Sequence, residues 1–319
     1  MRITSCGMTD VGVKRTNNED NYLINDELNL FVVCDGMGGH AGGEFASAIA
    51  VNTVEEVLTT IEIQPNAGDF SIDDGANPVE VVREKLRYAV RLAGKRIYQR
   101  AQEDLEYKGM GTTCLSLVVD NGNAFLAHVG DSRAYLIRGG KIEQVTEDHS
   151  LVNERLRAGL ITEEEAKNHK LKNIITRSLG FMEDVEIDLS VRAVRRGDLF
   201  LLCSDGLSNF IETEELGQMV LDHSPQDAAR LMIDTACERG GDDNITVIVV
   251  RIDEQRWLKL SPARTADALE LGYFCGNLHW RVRFEDGVIL IALEGPENDY
   301  LDRLALFINS GRVRKLSSE

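Results

Sequence analysis

The sequence has no long apolar run, and it has few basic residues for its length. No window approaches the roughly 20 apolar residues of a membrane-spanning helix. The first residues, MRITSCGMTD, lack the basic and then apolar pattern of a secretory signal. The 35 Lys and Arg face 53 Asp and Glu, which gives a net charge of −18. A phosphate backbone requires a basic surface, so we expect neither nucleic acid nor a membrane as a partner.

Paired cysteines and clustered histidines are also missing. The six cysteines are scattered without a CxxC motif, and Cys34, Cys114 and Cys203 lie in apolar runs. This predicts reduced, mostly buried thiols in a cytoplasmic protein. The six histidines are isolated from one another. A zinc site is therefore not expected.

The patterns that are present predict an α+β fold. Apolar runs bounded by Gly or Asp predict strands at 30–34, 113–119, 124–129, 134–137, 199–203 and 245–252. The turns DNGN at 120–123 and RGGK at 138–141 predict antiparallel hairpins. Helical spacing predicts helices at 44–59, at 79–103 and after Ser224-Pro225. Hairpin strands with helices packed outside indicate a layered sandwich.

Four aspartates directly follow apolar strands or stand in Gly/Asn turns: Asp35, Asp131, Asp205 and Asp243. Taken singly, each is an ordinary turn residue, because Asp-Gly after a strand is a common turn signal. Taken together, carboxylates at successive strand ends can converge on one edge of a sandwich. Such an all-oxygen site suits Mg²⁺ or Mn²⁺.

Eight short motifs surround these aspartates, in the order VGVKRTNNEDN, VCDGMGGHAGGE, GMGTT, AHVGDSRAY, EDHS, ITRSLG, LLCSDGLS and GGDDNIT. In this order they resemble the type-2C metal-dependent protein phosphatases of the bacterial branch, from about residue 1 to residue 253. The resemblance implies a four-layer αββα sandwich of two antiparallel sheets flanked by helices. It also implies a protein serine/threonine phosphatase that acts on phosphorylated proteins in signalling.

The resemblance assigns roles within a metal site. Asp35 would bridge two ions, Mn²⁺ or Mg²⁺, and the carbonyl of Gly36 would bind one of them. Asp205 and Asp243 would hold one ion together with Asp35, and Asp20 would reach metal-bound water. The nucleophile would be a water that bridges the two ions.

Three further residues complete the implied site. Arg15 matches a phosphate-binding arginine, whose planar paired donors suit phosphate oxygens. Asp131 matches the carboxylate that binds a third, weaker ion. The eukaryotic branch carries DGHGG, and this chain has Met37 in place of that histidine. His40, three positions on, would serve the leaving group or place substrate, or it is a structural histidine at the start of the next helix.

The charged segment 150–179 has two short helical patterns, at 151–158 and 162–169. The second opens with a capping box formed by Thr162 and Glu165. From its residues alone the segment is either a plain connection or a flap beside a site. The resemblance implies a flap next to the metal centre that influences substrate choice.

About 65 residues follow the family-like part. Strands are predicted at 256–260, 280–284, 288–292 and 312–316, with helices at 265–274 and 298–308. This βαββαβ order is that of a ferredoxin-like domain. We therefore divide the chain into a catalytic domain at 1–254 and a small domain at 255–319.

The stretch ALELGYFCGNLHWRVRFEDG resembles the C-terminal domain of UreE-type urease accessory metallochaperones. His279 falls on the metal-binding histidine of that family, while Leu278 and Phe274 depart from its pattern. The resemblance implies a site for Ni²⁺ or Zn²⁺ at His279 and a homodimer through residues 255–319. Alternatively, His279 is a partly buried residue that caps the first helix.

Two other functions are open at this point. A pseudophosphatase would bind phosphoproteins without hydrolysis, and the loss of a metal aspartate would be its mark. Asp35, Asp205 and Asp243 are all present, which argues against it. The other alternative is a metal-sensing or phosphoprotein-binding regulator whose C-terminal domain binds metal or dimerises.

Overall fold

The computed structural model describes residues 1–38, 42–60, 77–167, 169–171, 173–254, 256–293 and 297–316. Residues 3–253 form one compact unit, and residues 254–319 form a second one together with residues 1 and 2. Within the described ranges, no helix is both long and apolar enough to cross a bilayer. All six cysteines lie in these ranges and are free thiols.

The larger unit is built on two antiparallel sheets. One has the strand order β1-β12-β11-β8-β9 and the other β10-β7-β6-β3-β2, with a separate two-stranded pair β4-β5. The strands are β1 Arg2–Asp10, β2 Asn21–Asn25, β3 Leu30–Cys34, β4 Gly36–Met37, β5 Gly111–Thr112, β6 Cys114–Asp120, β7 Asn123–Val129, β8 Arg133–Arg138, β9 Lys141–Gln144, β10 Asp188–Ala193, β11 Leu199–Cys203 and β12 Ile245–Asp253. Both predicted hairpins are confirmed, since β6 pairs with β7 and β8 with β9.

The helices of this unit are α1 Gly42–Thr60, α2 Pro78–Glu103, α3 Leu151–Arg157, α4 Glu163–Lys167, α5 Asp205–Ser208, α6 Thr213–Asp222 and α7 Pro225–Glu238. Two of them begin at a side chain that caps the first turn, and the start after Ser224 was predicted from the sequence. Asn77 accepts a hydrogen bond from the backbone of Val79 at the start of α2, and Ser224 accepts one from Asp227 at the start of α7. Proline follows each cap, where its missing N–H costs nothing.

Three apolar clusters hold sheets and helices together. Side chains from both sheets, among them Phe31 and Phe200, form one cluster between the sheets. A second cluster joins α1 and α2 to the sheet that contains β3. A third joins α6 and α7 to the sheet that contains β11. The prediction of a mixed α/β fold with antiparallel sheets and helices is confirmed.

The smaller unit contains β13 Arg256–Pro262, α8 Thr265–Asn277, β14 Val282–Glu285, β15 Val288–Leu293, α9 Glu297–Arg303, α10 Ala305–Asn309 and β16 Val313–Lys315. Its antiparallel sheet has the order β14-β15-β13-β16. The unit has an apolar core of its own, which includes Leu260, Ile291 and Phe307.

Two sequence predictions are wrong in detail. The single helix predicted at 298–308 is two helices, α9 and α10, which meet at the fully buried Leu304. Leu304 has φ −91° and ψ 1°, so the chain turns at the residue that anchors this segment in the core. The helix predicted at 162–169 covers only Glu163–Lys167, although its capping box forms as expected between Thr162 and Glu165.

Candidate metal centre and active site

A cleft of about 910 Å³ in the larger unit is lined by four of the aspartates that the sequence singles out: Asp35, Asp131, Asp205 and Asp243. Each stands at the end of a sheet strand or just before one. Asp35 follows β3, Asp131 follows β7, Asp205 follows β11, and Asp243 precedes β12. The antiparallel pairing of these strands brings their ends to the same cleft.

The backbone of Asp35 is fixed by the threonines of the GMGTT motif. Its N–H donates to the hydroxyl of Thr113 at 2.8 Å, and its carbonyl accepts from the hydroxyl of Thr112 at 2.9 Å. The hydroxyl of Thr113 also lies 2.8 Å from that of Ser132, the residue after Asp131. A buried chain of hydroxyl groups therefore ties the loop of Asp35 to the loop of Asp131.

Gly36 stands where two other segments approach closely. Its N–H donates to the carbonyl of Glu19 at 3.2 Å. A Cβ atom at this position would collide with the carbonyl oxygens of Gly43 and Glu19. Only glycine therefore fits directly after Asp35, and Gly36 itself lines the cleft.

Asp20 lies behind the cleft wall and is 7% exposed. Its Oδ2 accepts from the hydroxyl of Ser204 at 2.8 Å, while its Oδ1 has no hydrogen-bond partner. Burial raises the pKa of Asp20 to about 7, and the charges of Asp205 and Asp243 act in the same direction. Asp20 is thus a carboxyl that its surroundings disfavour in the ionised form.

Three of the aspartates that line the cleft, Asp35, Asp131 and Asp205, also have raised pKa values. Burial raises the pKa of Asp131 to about 8, with a further contribution from Asp205. Burial and the four carboxylates Asp20, Asp205, Asp131 and Asp243 raise the pKa of Asp35 well above its usual value. Burial and then Asp243 raise that of Asp205. Like charges in a partly dry site repel one another, and a cation among them would relieve that repulsion.

The donor set fits a hard divalent cation. Asp131 and Asp205 each have a buried Oδ1 without a hydrogen-bond partner, and every candidate ligand is an oxygen. The carboxylates do not form a closed cage. Among the described residues, no three His, Cys, Asp or Glu side chains are already close enough together to hold a metal ion. The arrangement is an open set of oxygen donors around a cleft.

Arg15 lies at the rim of the cleft, where its guanidinium donates to Oδ2 of Asp243 at 2.8 Å. The loop that carries Arg15 is held by Asn244. The side-chain amide of Asn244 donates to the carbonyls of Val11 and Asn17, each at 2.9 Å, and its oxygen accepts from the N–H of Glu19 at 2.8 Å. Sequence reasoning missed Asn244, although it lies in the GGDDNIT motif.

The segment 150–179 borders the cleft, and two isolated bridges fix its ends. Isolated β-bridges join Ser150 to Ile175 and Thr112 to Leu179. Arg177, which sequence reasoning also missed, lines the cleft and forms ion pairs with Asp188 at 3.0 Å and Glu186 at 3.1 Å. Arg177 could have been singled out from the sequence because it lies in the ITRSLG motif.

The remaining candidate residues stand apart. His40 lies outside the described residues, whereas Met37 lines the cleft. His279 belongs to the smaller unit, where it is exposed and follows α8 with a left-handed φ of 54°. Its backbone N–H donates to the carbonyl of Gly276 at 3.0 Å, so its main chain takes part in closing the helix end.

Known proteins resemble this chain over most of its length. Residues 13–239 match the family model of protein phosphatase 2C. The protein phosphatase PhpP of Streptococcus pneumoniae (strain D39) is 39% identical over 252 residues, which cover 78% of this chain and 97% of PhpP. The serine/threonine phosphatase PstP/Ppp of Mycobacterium tuberculosis aligns with a TM-score of 0.70 and 32% identity, covering 79% of this chain and 99% of PstP. The structure of the catalytic domain of PstP in complex with 2 manganese ions aligns over the same shares with a TM-score of 0.68 and 32% identity.

The fold, the cleft and these relatives define the class as protein serine/threonine phosphatases, which are hydrolases. The match covers well over half of the chain. The chain belongs to the protein phosphatase 2C family. Because that match ends at residue 239, it does not bear on residues 255–319, and their resemblance to UreE stays a prediction.

Proposed function

We propose that residues 1–254 form a catalytic domain that hydrolyses phosphoserine and phosphothreonine in protein substrates with Mn²⁺ or Mg²⁺ as cofactor. The observation that carries this proposal is the set of four aspartates around one cleft, with buried carboxylate oxygens that lack partners. The two manganese ions in the PstP catalytic domain support it. No described helix could cross a membrane, which is compatible with the cytoplasmic location that the cysteines predict.

Two core ions would be held by Asp35, the carbonyl of Gly36, Asp205 and Asp243, and a third ion by Asp131. Asp20, behind the cleft wall, would orient water near the core ions. When bound, the ions would lower the pKa of water and neutralise charge on the phosphate oxygens. The raised pKa values of Asp20, Asp35, Asp131 and Asp205 support a site in which carboxylates release protons as cations enter.

The protein side chains would position the phosphate. Arg15 presents paired donors at the cleft rim, and a phosphate would compete with Asp243 for them. Thr112 and Thr113 hold the backbone of Asp35 in place, so this ligand would need little rearrangement. A role of His40 in protonating the leaving group stays a prediction, because His40 lies outside the described residues.

For the architecture, we propose a four-layer αββα sandwich in the catalytic domain and a ferredoxin-like fold in residues 255–319. The three apolar clusters support the first, because one lies between the sheets and each of the others joins helices to one sheet. The antiparallel order β14-β15-β13-β16 supports the second, since each βαβ connection leaves one strand between its two strands. Residues 150–179 would act as a flap that borders the cleft.

Residues 255–319 would pair two chains, with His279 as a site for Ni²⁺ or Zn²⁺. The support is an exposed apolar surface: Leu269 is 70% exposed, Tyr273 75% and Phe284 59%. A patch of this kind is typical of a surface that binds another protein. The side chains of Ile289, Ile291 and Phe307 do not contribute to it, because they are buried in the core of the unit.

The test of the catalytic proposal is hydrolysis of p-nitrophenyl phosphate and of phosphoserine and phosphothreonine peptides. We expect turnover that requires Mn²⁺ or Mg²⁺, stops in EDTA and is lost in Asp205→Ala. Activity of the wild type separates an enzyme from a pseudophosphatase or a purely metal-sensing regulator. Robust turnover in metal-free buffer would contradict the proposal.

A further inference from the structure

A second cleft, of about 690 Å³, adjoins the catalytic cleft. The two share three lining residues, Asp131, Asn173 and Asp205. Asp131 is 7% exposed and its Oδ1 has no hydrogen-bond partner, so an unpaired carboxylate oxygen lies at the junction. A substrate chain whose phosphate lies in the first cleft therefore has a direct route into the second.

The two clefts differ in charge. The catalytic cleft carries the cations Arg15 and Arg177, which suit a phosphate. Of the described residues that line the second cleft, Arg133 is the only cation, and Asp148 neutralises it through hydrogen bonds of 3.0 and 2.6 Å. What remains beyond the junction is acidic.

Three exposed glutamates supply this acidity: Glu163 at the start of α4, and Glu212 and Glu214 at the start of α6. In the part of the chain that the structure describes, the side chains of Glu163 and Glu214 form no hydrogen bond or ion pair with another residue. Glu163 belongs to the segment 150–179, and Glu214 belongs to the segment that follows α5. Two separate stretches of the chain therefore contribute negative charge to the same cleft.

The cleft also offers apolar surface. Leu156 of α3 and Phe210 line it and are only half-buried. The aliphatic stem of a lysine or arginine packs on such surface while its charged end reaches acidic groups, and a guanidinium also binds an aromatic face. The lining therefore suits a long basic side chain better than a small metal ion.

We propose that the second cleft is a subsite for a lysine or arginine of the substrate near the phosphorylated residue. This inference rests on the proposed function, because it requires a phosphopeptide in the catalytic cleft. Glu163 and Glu214 would attract the basic side chain, and Leu156 and Phe210 would contact its stem. The chain would then select phosphorylation sites with a basic flank.

The test compares phosphothreonine peptides that differ only by Arg or Gln at each flanking position in turn. At low ionic strength we expect kcat/KM to be about three- to tenfold higher for arginine at one or more positions, which is the range for two partly exposed charge pairs. In Glu163→Gln/Glu214→Gln this preference should fall to within about twofold. Glu164→Gln removes the same charge from the same helix at a residue that does not line the cleft, and it should keep the wild-type preference.

A charge reversal makes the test independent of simple loss of function. Glu163→Lys/Glu214→Lys should favour peptides with Glu over those with Arg, and 0.5 M NaCl should weaken both preferences. The inference is overturned if the wild type shows no basic preference, or if the double Gln variant retains it. It is also overturned if that variant mainly raises the Mn²⁺ requirement, because the glutamates would then serve a cation. Absence of any turnover in the wild type would instead reject the proposed phosphatase mechanism.

Discussion

Asp20 offers a direct measurement of the electrostatic strain in the metal-free site. Its pKa is about 7 in the folded protein, against an ordinary value of 3.8. A carboxyl with a raised folded pKa contributes stability below pH 3.8, and that contribution is lost as the pH rises towards 7. We therefore expect Asp20→Asn, which stays neutral, to be relatively more stable than the wild type as the pH increases.

The magnitude follows from the shift. Each pKa unit corresponds to about 1.4 kcal/mol, so the raised pKa of Asp20 lowers the stability of the metal-free fold, relative to its value at low pH, by roughly 4 kcal/mol at pH 8 and by roughly 2 kcal/mol at pH 5. At pH 5 the loss arises because the carboxyl ionises in the unfolded chain while it stays protonated in the folded one. The advantage of Asp20→Asn should thus grow by about 2–3 kcal/mol between these pH values. For a domain of this size that corresponds to roughly 5–10 °C in Tm. An amide that leaves a donor unsatisfied costs the same at both pH values, so it does not affect this difference.

The assay is thermal unfolding of the full chain in EDTA at pH 5 and pH 8, with Asp120→Asn in the β6–β7 turn as the control. Wild-type Tm should fall between the two pH values more steeply than that of Asp20→Asn, and the control should follow the wild type. Saturating Mn²⁺ should stabilise the wild type more at pH 8 than at pH 5. Equal changes for wild type and Asp20→Asn would refute the reasoning.

Three further outcomes test other parts of the molecule. Arg15→Ala should raise KM for phosphate esters about tenfold or more with a smaller change in kcat, because it removes a charged hydrogen bond to phosphate. The control Lys14→Ala should leave KM unchanged. An unchanged KM with a much lower kcat in Arg15→Ala would show that Arg15 acts mainly in the transition state. Asp131→Ala should raise the Mn²⁺ concentration that activity requires, and calorimetric loss of both core ions would contradict the role of Asp131 in a third site. In sedimentation at micromolar concentration the full chain should be a dimer, and a chain ending at residue 253 should be a monomer. If both chains are monomers, the pairing proposal is wrong. If His279→Ala leaves metal binding by residues 255–319 unaltered, His279 is a structural residue.

The strands that flank the site could be predicted because their sequences carry an uninterrupted signal. Leu30–Cys34 and Leu199–Cys203 are apolar throughout, are fully or almost fully buried, and end next to the site. Strands β1 and β2 escaped prediction. They lie at the edges of their sheets and are largely half-buried, so polar and apolar residues mix without a clear period.

Of the candidate site, the sequence predicted the aspartates next to strand ends but not the residues that hold them in place. Each aspartate could be found from its place after or before a strand, but the residues that hold them act across the chain. Ser204 reaches Asp20 over 184 positions and Asn244 reaches Glu19 over 225. No local pattern encodes such a contact, because it depends on the register of the sheets. Arg177 was missed for the same reason, since its ion pairs depend on how segment 150–179 folds back towards β10.

The two bridges at the ends of segment 150–179 have a consequence for how this enzyme could diversify. Between Ser150 and Ile175 the chain carries two short helices. The bridge between these two residues closes this stretch on itself, and Leu179 pairs with Thr112 of β5. Doubling the length of a closed loop costs only about 0.6 kcal/mol in entropy. Insertions or exchanges between Arg157 and Glu163 can therefore remodel the bordering surface while the carboxylates keep their positions. Substrate preference and chemistry can be altered separately, by substitution in different stretches of one sequence.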